Sequence, residues 1–85
     1  MSIVLGSTFL TTTAYTPNPV TIAQGTTVTW VNNDTVDHSS TSQNNVWASP
    51  TMAPGVSYSR TFGTIGSFPY YCIFHPGMVG TVVVQ

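Results

Sequence analysis

The chain has 85 residues and three formal charges, Arg60, Asp34 and Asp37, so 4% of it is charged, against roughly 25% in an ordinary soluble domain. One arginine and no lysine exclude a nucleic-acid binder, which needs clustered cations against phosphate, and equally a polybasic membrane-surface helix. Aromatics at 12% and hydrophobics at 41% argue against long disorder, and the length holds one small domain, residues 1–85, with no room for a second core.

Hydroxyls and amides replace the missing charge: Ser and Thr make up 24 residues, with five Asn and three Gln. Threonine is β-branched and suits a pleated, half-buried surface. No stretch carries an apolar stripe at helical spacing, and Gly and Pro punctuate the chain at short intervals. The pattern predicts an all-β sandwich or barrel. No apolar run reaches 18 residues, so neither a transmembrane helix nor direct membrane insertion is expected. The opening Met1-Ser2-Ile3-Val4-Leu5-Gly6 is too short and uncharged for a signal peptide. Either the protein is cytoplasmic or a leader has been removed and Met1 stands in its place. Cys72 is the single cysteine, so packing alone or a bound metal must hold the small core.

In chain order, residues 3–5 and 8–10 suggest a first strand kinked or bulged at Gly6. Residues 15–19 form a turn or irregular edge, because Pro17 and Pro19 cannot donate to a central ladder. Residues 20–22 make a short strand, and Gln24-Gly25 turns the chain into a strand over 26–32. There Val28, Trp30 and Asn32 alternate with Thr27, Thr29 and Val31. A polar loop covers 33–37 and a further strand 39–43. Residues 44–54 are irregular, with Pro50 and Pro54-Gly55 as turn signals. Over 56–62, Val56, Tyr58, Arg60 and Phe62 alternate with Ser57, Ser59 and Thr61. A turn at 63–66 leads to a strand on which Phe68, Tyr70 and Cys72 share a face. The last strand covers 81–85. Seven or eight short strands suit two packed antiparallel sheets. Trp30, Phe62, Phe68 and Tyr70 are assigned to the core and Met52 to packing. For Trp47, in the irregular region, core and surface contact both stay open.

The stretch that carries chemistry is Tyr70-Tyr71-Cys72-Ile73-Phe74-His75-Pro76-Gly77-Met78-Val79-Gly80, a strand end, a tight loop and another strand. Its spacing is C-x2-H-x2-M. A thiolate and an imidazole on one short loop can reach a single ion, and the thioether three residues on can approach axially. A further nitrogen must come from elsewhere, and the other histidine is His38. Two His, one Cys and one Met are the donor set of a trigonal copper site with a weak axial thioether. Zinc accepts His and Cys readily; Met78, a poor zinc ligand, tilts the choice to copper.

At these residues the chain resembles the cupredoxins, the blue copper proteins, and the plastocyanin/amicyanin branch most. The resemblance runs through residues 20–34, His38, Pro54-Gly55-Val56-Ser57-Tyr58, Thr61-Phe62 and 70–80. The compact Cys-x2-His-Pro-x-Met is similar to amicyanin, since plastocyanin usually has a longer His-to-Met spacing. The resemblance implies a Greek-key β-sandwich and one type 1 copper ion, with His38, Cys72 and His75 as equatorial ligands and Met78 as the axial one. It implies one-electron transfer between Cu(II) and Cu(I), not an enzyme activity: four protein ligands leave no open position. Two histidines and one cysteine cannot build a trinuclear or binuclear centre.

Further expectations follow from that resemblance. The His75 ring edge is the electron port, rimmed by Phe74, Pro76, Gly77 and Val79. Tyr71, alternating away from Cys72, is a candidate docking residue. The partner is a redox protein, met through a small apolar patch, and the location is periplasmic or otherwise extracytoplasmic. Ser39 stands where the family commonly has Asn; a backbone N–H to the Cys72 sulfur can persist, while the side-chain brace of the ligand loop is left open. Phe74 stands where plastocyanin and amicyanin have Pro, so its N–H can give the sulfur a second hydrogen bond and raise the reduction potential. The alternatives are a copper delivery or scavenging module and a metal-free structural domain on the same fold. The near-neutral surface predicts a monomer or weak self-association.

Overall fold

The computed structural model describes residues 1–85. The strands are β1 (Ser2–Ile3), β2 (Tyr15–Thr16), β3 (Val20–Ile22), β4 (Thr26–Asn32), β5 (Thr41–Ser42), β6 (Ser57–Phe62), β7 (Gly66–Cys72) and β8 (His75–Val84). They form two four-stranded sheets, β2-β1-β4-β6 and β3-β8-β7-β5, which pack as the expected sandwich of eight strands. The sheets are mixed rather than purely antiparallel: β1 runs parallel to β4 and β3 parallel to β8. No helix is long and apolar enough to cross a membrane.

The period-2 alternation of β4 explains its placement. Val28, Trp30 and Asn32 are buried while Thr27 and Thr29 face out. β4 pairs antiparallel with β6 from Thr26↔Phe62 to Val31↔Ser57. On the outer face, cross-strand hydroxyls satisfy one another, Thr27 with Thr61 at 2.7 Å and Thr29 with Ser59 at 2.8 Å. Hydroxyl pairs thus decorate a ladder that elsewhere would carry charges.

Between the sheets the core is aromatic. Trp30 meets Tyr70 edge-on at 5.4 Å between ring centroids and lies against Trp47 at 6.0 Å. Trp47 belongs to the core, and Arg60 lies 5.5 Å over its ring. Tyr70 approaches β8 so closely that a Cβ at Gly80 would fall on its ring. Phe62 is buried with Trp30 and Tyr70, and Phe68 packs half-buried against them.

Several strand boundaries differ from expectation. The first strand stops at Ile3: Gly6 takes a left-handed conformation at φ +77°, and Ser7–Phe9 form a turn of 3₁₀ helix. Leu5 and Phe9, expected on that strand, are exposed instead, at 70% and 91%. β5 is only Thr41–Ser42, because the preceding Ser40 N–H is given to the Ser49 hydroxyl. β8 begins at His75 rather than at Thr81, so only Ile73-Phe74 connect it to β7. Val56 lies outside β6 and is exposed.

Candidate metal centre

Three segments meet at one end of the sandwich. The first is the β4–β5 connection. Asn32, the last residue of β4, is buried; its side-chain N–H groups donate to the carbonyls of Val36 (2.9 Å) and Met52 (2.8 Å), and its Oδ1 accepts from the Asp34 amide at 3.0 Å. One amide side chain therefore shapes the polar loop over 33–37. His38 follows, locked to Met52 by backbone bonds in both directions, His38 N–H to Met52 O at 3.1 Å and Met52 N–H to His38 O at 2.9 Å. Met52 is buried packing beneath the loop, as its position in the sequence suggested.

The second segment is the β7–β8 turn. Cys72 ends β7 fully buried, and His75 pairs with it across the two-residue connection. The register then slips: Tyr71 pairs with Val79, which leaves Pro76, Gly77 and Met78 as extra residues on β8. Such a bulge bends a strand and re-aims its side chains. Met78 is fully buried close to His38, Cys72 and His75, whereas His75 is half-buried.

The donor atoms converge. His38 Nδ1 lies 3.6 Å and His75 Nδ1 3.8 Å from Cys72 Sγ, and the ligand atoms of the three residues all lie within 4.8 Å of one another. Two donors bound at about 2.0–2.3 Å to one ion at tetrahedral to trigonal angles stand about 3.6–3.8 Å apart. The spacing is therefore that of a metal-binding group, and the soft thiol and buried thioether fit copper.

The sulfur's hydrogen-bonding partners are these two imidazole nitrogens. The amides of Ser39 and Phe74, expected to donate to the sulfur, are not among them. The side-chain brace left open at Ser39 is present, however: its hydroxyl accepts from the Ile73 amide at 3.0 Å and shares a 3.0 Å bond with Thr41 Oγ1. Its carbonyl accepts from the buried Tyr15 hydroxyl at 2.6 Å. Burial first, then the neighbouring Cys72 and Tyr70, push the Tyr15 phenol far above its ordinary range, so it stays a neutral donor. The Ser39 side chain thus ties the β7–β8 turn to the loop that carries His38.

The third segment, Val4–Leu10, carries no ligand. It brings Gly6 and Ser7 against Asp34, which lies four residues before His38 and is buried. Leu5, Phe9, Val36 and His75 line one groove. Phe9 and His75 also line a second groove, with Phe74, Pro76 and Gly77. Val79 lines neither groove: it is half-buried, with its amide bonded at 3.3 Å to the carbonyl of Thr11, which does line the second. Tyr71 is half-buried, paired to Thr41. The sequence reading did not find Leu5 and Phe9 around the His75 edge; both had been assigned to a strand.

A β-sandwich with a buried cysteine, two histidines and a methionine gathered at one end defines a small mononuclear metal protein of copper-binding type. Residues 6–85 match the model for copper binding proteins of the plastocyanin/azurin family. The chain belongs to that family. It is 38% identical over 84 residues to plastocyanin of Scenedesmus fuscus, covering 84% of this chain and 86% of that one. It is 33% identical over 76 residues to amicyanin of Paracoccus versutus, covering 84% of this chain and 58% of that one. In structure it is similar to a purple cupredoxin from Nitrosopumilus maritimus, with a TM-score of 0.91 and 35% identity over 99% of this chain and 96% of the other.

Proposed function

We propose that this protein is a one-electron carrier built on a single type 1 copper site, with His38, Cys72 and His75 as equatorial ligands and Met78 as the axial one. The observation that carries the reading is the convergence of His38 Nδ1, Cys72 Sγ and His75 Nδ1 within 4.8 Å, two of them on a two-residue turn. Bound copper supplies the exchange between Cu(II) and Cu(I). The protein fixes the donors: the backbone pairing of His38 with Met52, the Ser39–Ile73 bond and the β7–β8 ladder hold them on rigid elements. Little movement is then needed when the charge on the ion changes. Four protein donors leave no position for a substrate, so the reading is carrier rather than enzyme. The plastocyanin and amicyanin relatives are electron carriers of the same family.

The electron leaves through His75. Its half-buried ring lies between the Leu5–Phe9 and Phe74–Pro76 grooves, so a partner seated there reaches an imidazole in direct contact with the site. The partner is a redox protein that docks on this apolar face and dissociates quickly, as small interfaces do. The site works outside the cytoplasm, where the plastocyanin and amicyanin relatives function.

The test is to add Cu(II) to metal-free protein and follow the visible spectrum. An intense charge-transfer band, lost in Cys72→Ser, supports a copper–thiolate bond. A colourless 1:1 complex would overturn the reading. Slow copper loss to a chelator together with fast electron self-exchange distinguishes carriage of electrons from delivery of copper.

A further inference from the structure

Asp34 is one of three formal charges in the chain and it is buried, although no step of electron transfer calls for it. Its carboxylate receives four donors. Oδ1 accepts from the Gly6 amide at 3.1 Å and the Thr35 amide at 2.8 Å; Oδ2 accepts from the Ser7 hydroxyl at 3.1 Å and from His38 Nε2 at 2.7 Å. Both carboxyl oxygens are thus engaged as acceptors, two donors to each, which leaves the group no free lone pair for a proton of its own.

This arrangement decides which nitrogen of His38 carries the proton. A bare Nε2 lone pair cannot lie 2.7 Å from a carboxylate oxygen, so Nε2 is the N–H. The lone pair then belongs to Nδ1, the atom that faces Cys72 Sγ at 3.6 Å. A partner carboxylate also makes an imidazole a stronger donor to a metal. The carboxylate lies across the His38 ring from Nδ1, so its negative charge would favour the more positive oxidation state of a metal held at Nδ1.

We propose that Asp34 is a positioning carboxylate that presets His38 as an Nδ1 ligand and biases the site toward Cu(II), with Gly6 and Ser7 as the latch that keeps the carboxylate in place. The latch lies on the segment that also carries Leu5 and Phe9. One loop therefore both faces the partner and fixes a buried ligand. The proposal rests on His38 being a copper ligand.

Two measurements test it. In metal-free wild-type protein, at a pH high enough that the ring is neutral, nitrogen-15 NMR should find the His38 proton on Nε2 and Nδ1 bare; the reverse tautomer or a mixture would overturn the proposal. In Asp34→Asn, titrated with Cu(II) and with Cu(I), the ratio of Cu(II) to Cu(I) affinity should fall about tenfold, a rise of about 59 mV in reduction potential for a one-electron couple. An equal loss of both affinities, with the potential unchanged, would reduce Asp34 to packing and sink the idea. If Asp34→Asn does not fold, Ser7→Ala, which takes one donor from the carboxylate and one contact from His38 Nε2 but leaves the charge, should lower the same ratio by a smaller factor, and an unchanged ratio counts against the latch. Failure of the underlying reading is separate: it appears as absence of the copper–thiolate band in the wild type.

Discussion

His38 is fully buried, with one ring nitrogen beside Cys72 and the other given to Asp34 and Ser7, and its backbone is clamped to Met52. His75, 5.2 Å away between ring centroids, has one nitrogen beside the same sulfur but lies half-buried in the walls of two apolar grooves. The two imidazoles are chemically equal toward an ion, yet one is enclosed in hydrogen bonds and the other borders the surface. The difference divides the labour of the site. On the proposed reading, the His38 side would set geometry and charge, where movement costs reorganisation. The His75 side would provide access, where enclosure would block a partner.

The largest effect that can break this contrast comes from deleting each ring in turn. His75→Gly opens a hole at the surface, so added imidazole should enter and restore the visible band of the copper protein. His38→Gly leaves its gap behind Asp34 and Ser7, and the same imidazole should restore little or nothing. Absorption titrations of the two variants check the asymmetry, and equal rescue would show that burial does not separate the two sides.

A smaller effect tests the brace. Ser39→Ala removes the acceptor for the Ile73 amide and the link to Thr41. Ile73 is 49% exposed, so water can replace part of the loss. The cost should be about 0.5–1.5 kcal/mol, or roughly 4–8 °C in Tm per kcal/mol for a domain of this size. Thermal melts of the metal-free protein measure this. Copper loss to a chelator should quicken as well, because the turn carrying Cys72 and His75 is less firmly held against the His38 loop.

How far these features could be read in advance depends on the range of the interactions that make them. The strand over 26–32 and the C-x2-H-x2-M spacing are local patterns; alternation and loop length express them directly, and the donors were legible for that reason. The segment over 4–10 was not. Its two short apolar runs, Val4-Leu5 and Phe9-Leu10, read like pieces of a kinked strand, but Gly6 and Ser7 bond to Asp34, 28 and 27 residues away. That long-range competition turns the chain into a 3₁₀ turn and exposes Leu5 and Phe9. Trp47 was undecidable on similar grounds, since its indole N–H finds the Ser40 hydroxyl at 3.1 Å only once both loops are folded. One usable signal was present: an acidic residue four positions before the upstream histidine, in a chain with only two acids.

On the exposed side, Phe9→Ser should leave stability within about 0.5 kcal/mol, because a ring that is 91% exposed gives up little packing. Its electron-transfer rate to a physiological partner should nonetheless fall about fivefold, the equivalent of about 1 kcal/mol at an interface anchor. Stopped-flow mixing reads the rate and thermal melts the stability. A fall in both would place Phe9 with the structural half of the site rather than with the docking face.

The smallest effect concerns salt. The charge nearest the site, Asp34, is buried and compensated by four donors; Asp37 is exposed, and Arg60 is half-buried over Trp47 on β6. The face around His75 therefore presents Leu5, Phe9, Val36 and Phe74 with almost no net field. Without steering, association should stay near the roughly 10⁵–10⁶ M⁻¹s⁻¹ of neutral pairs. Raising the salt from about 0.01 M to about 0.15 M shortens the Debye length from about 30 Å to about 8 Å. A steered pair would slow steeply over that range, whereas this one should change by no more than about twofold. Stopped-flow rates across the range decide it. A steep fall would mean that the partner finds the lone exposed carboxylate of Asp37, beside His38, and docks on the enclosed side of the site instead of over His75.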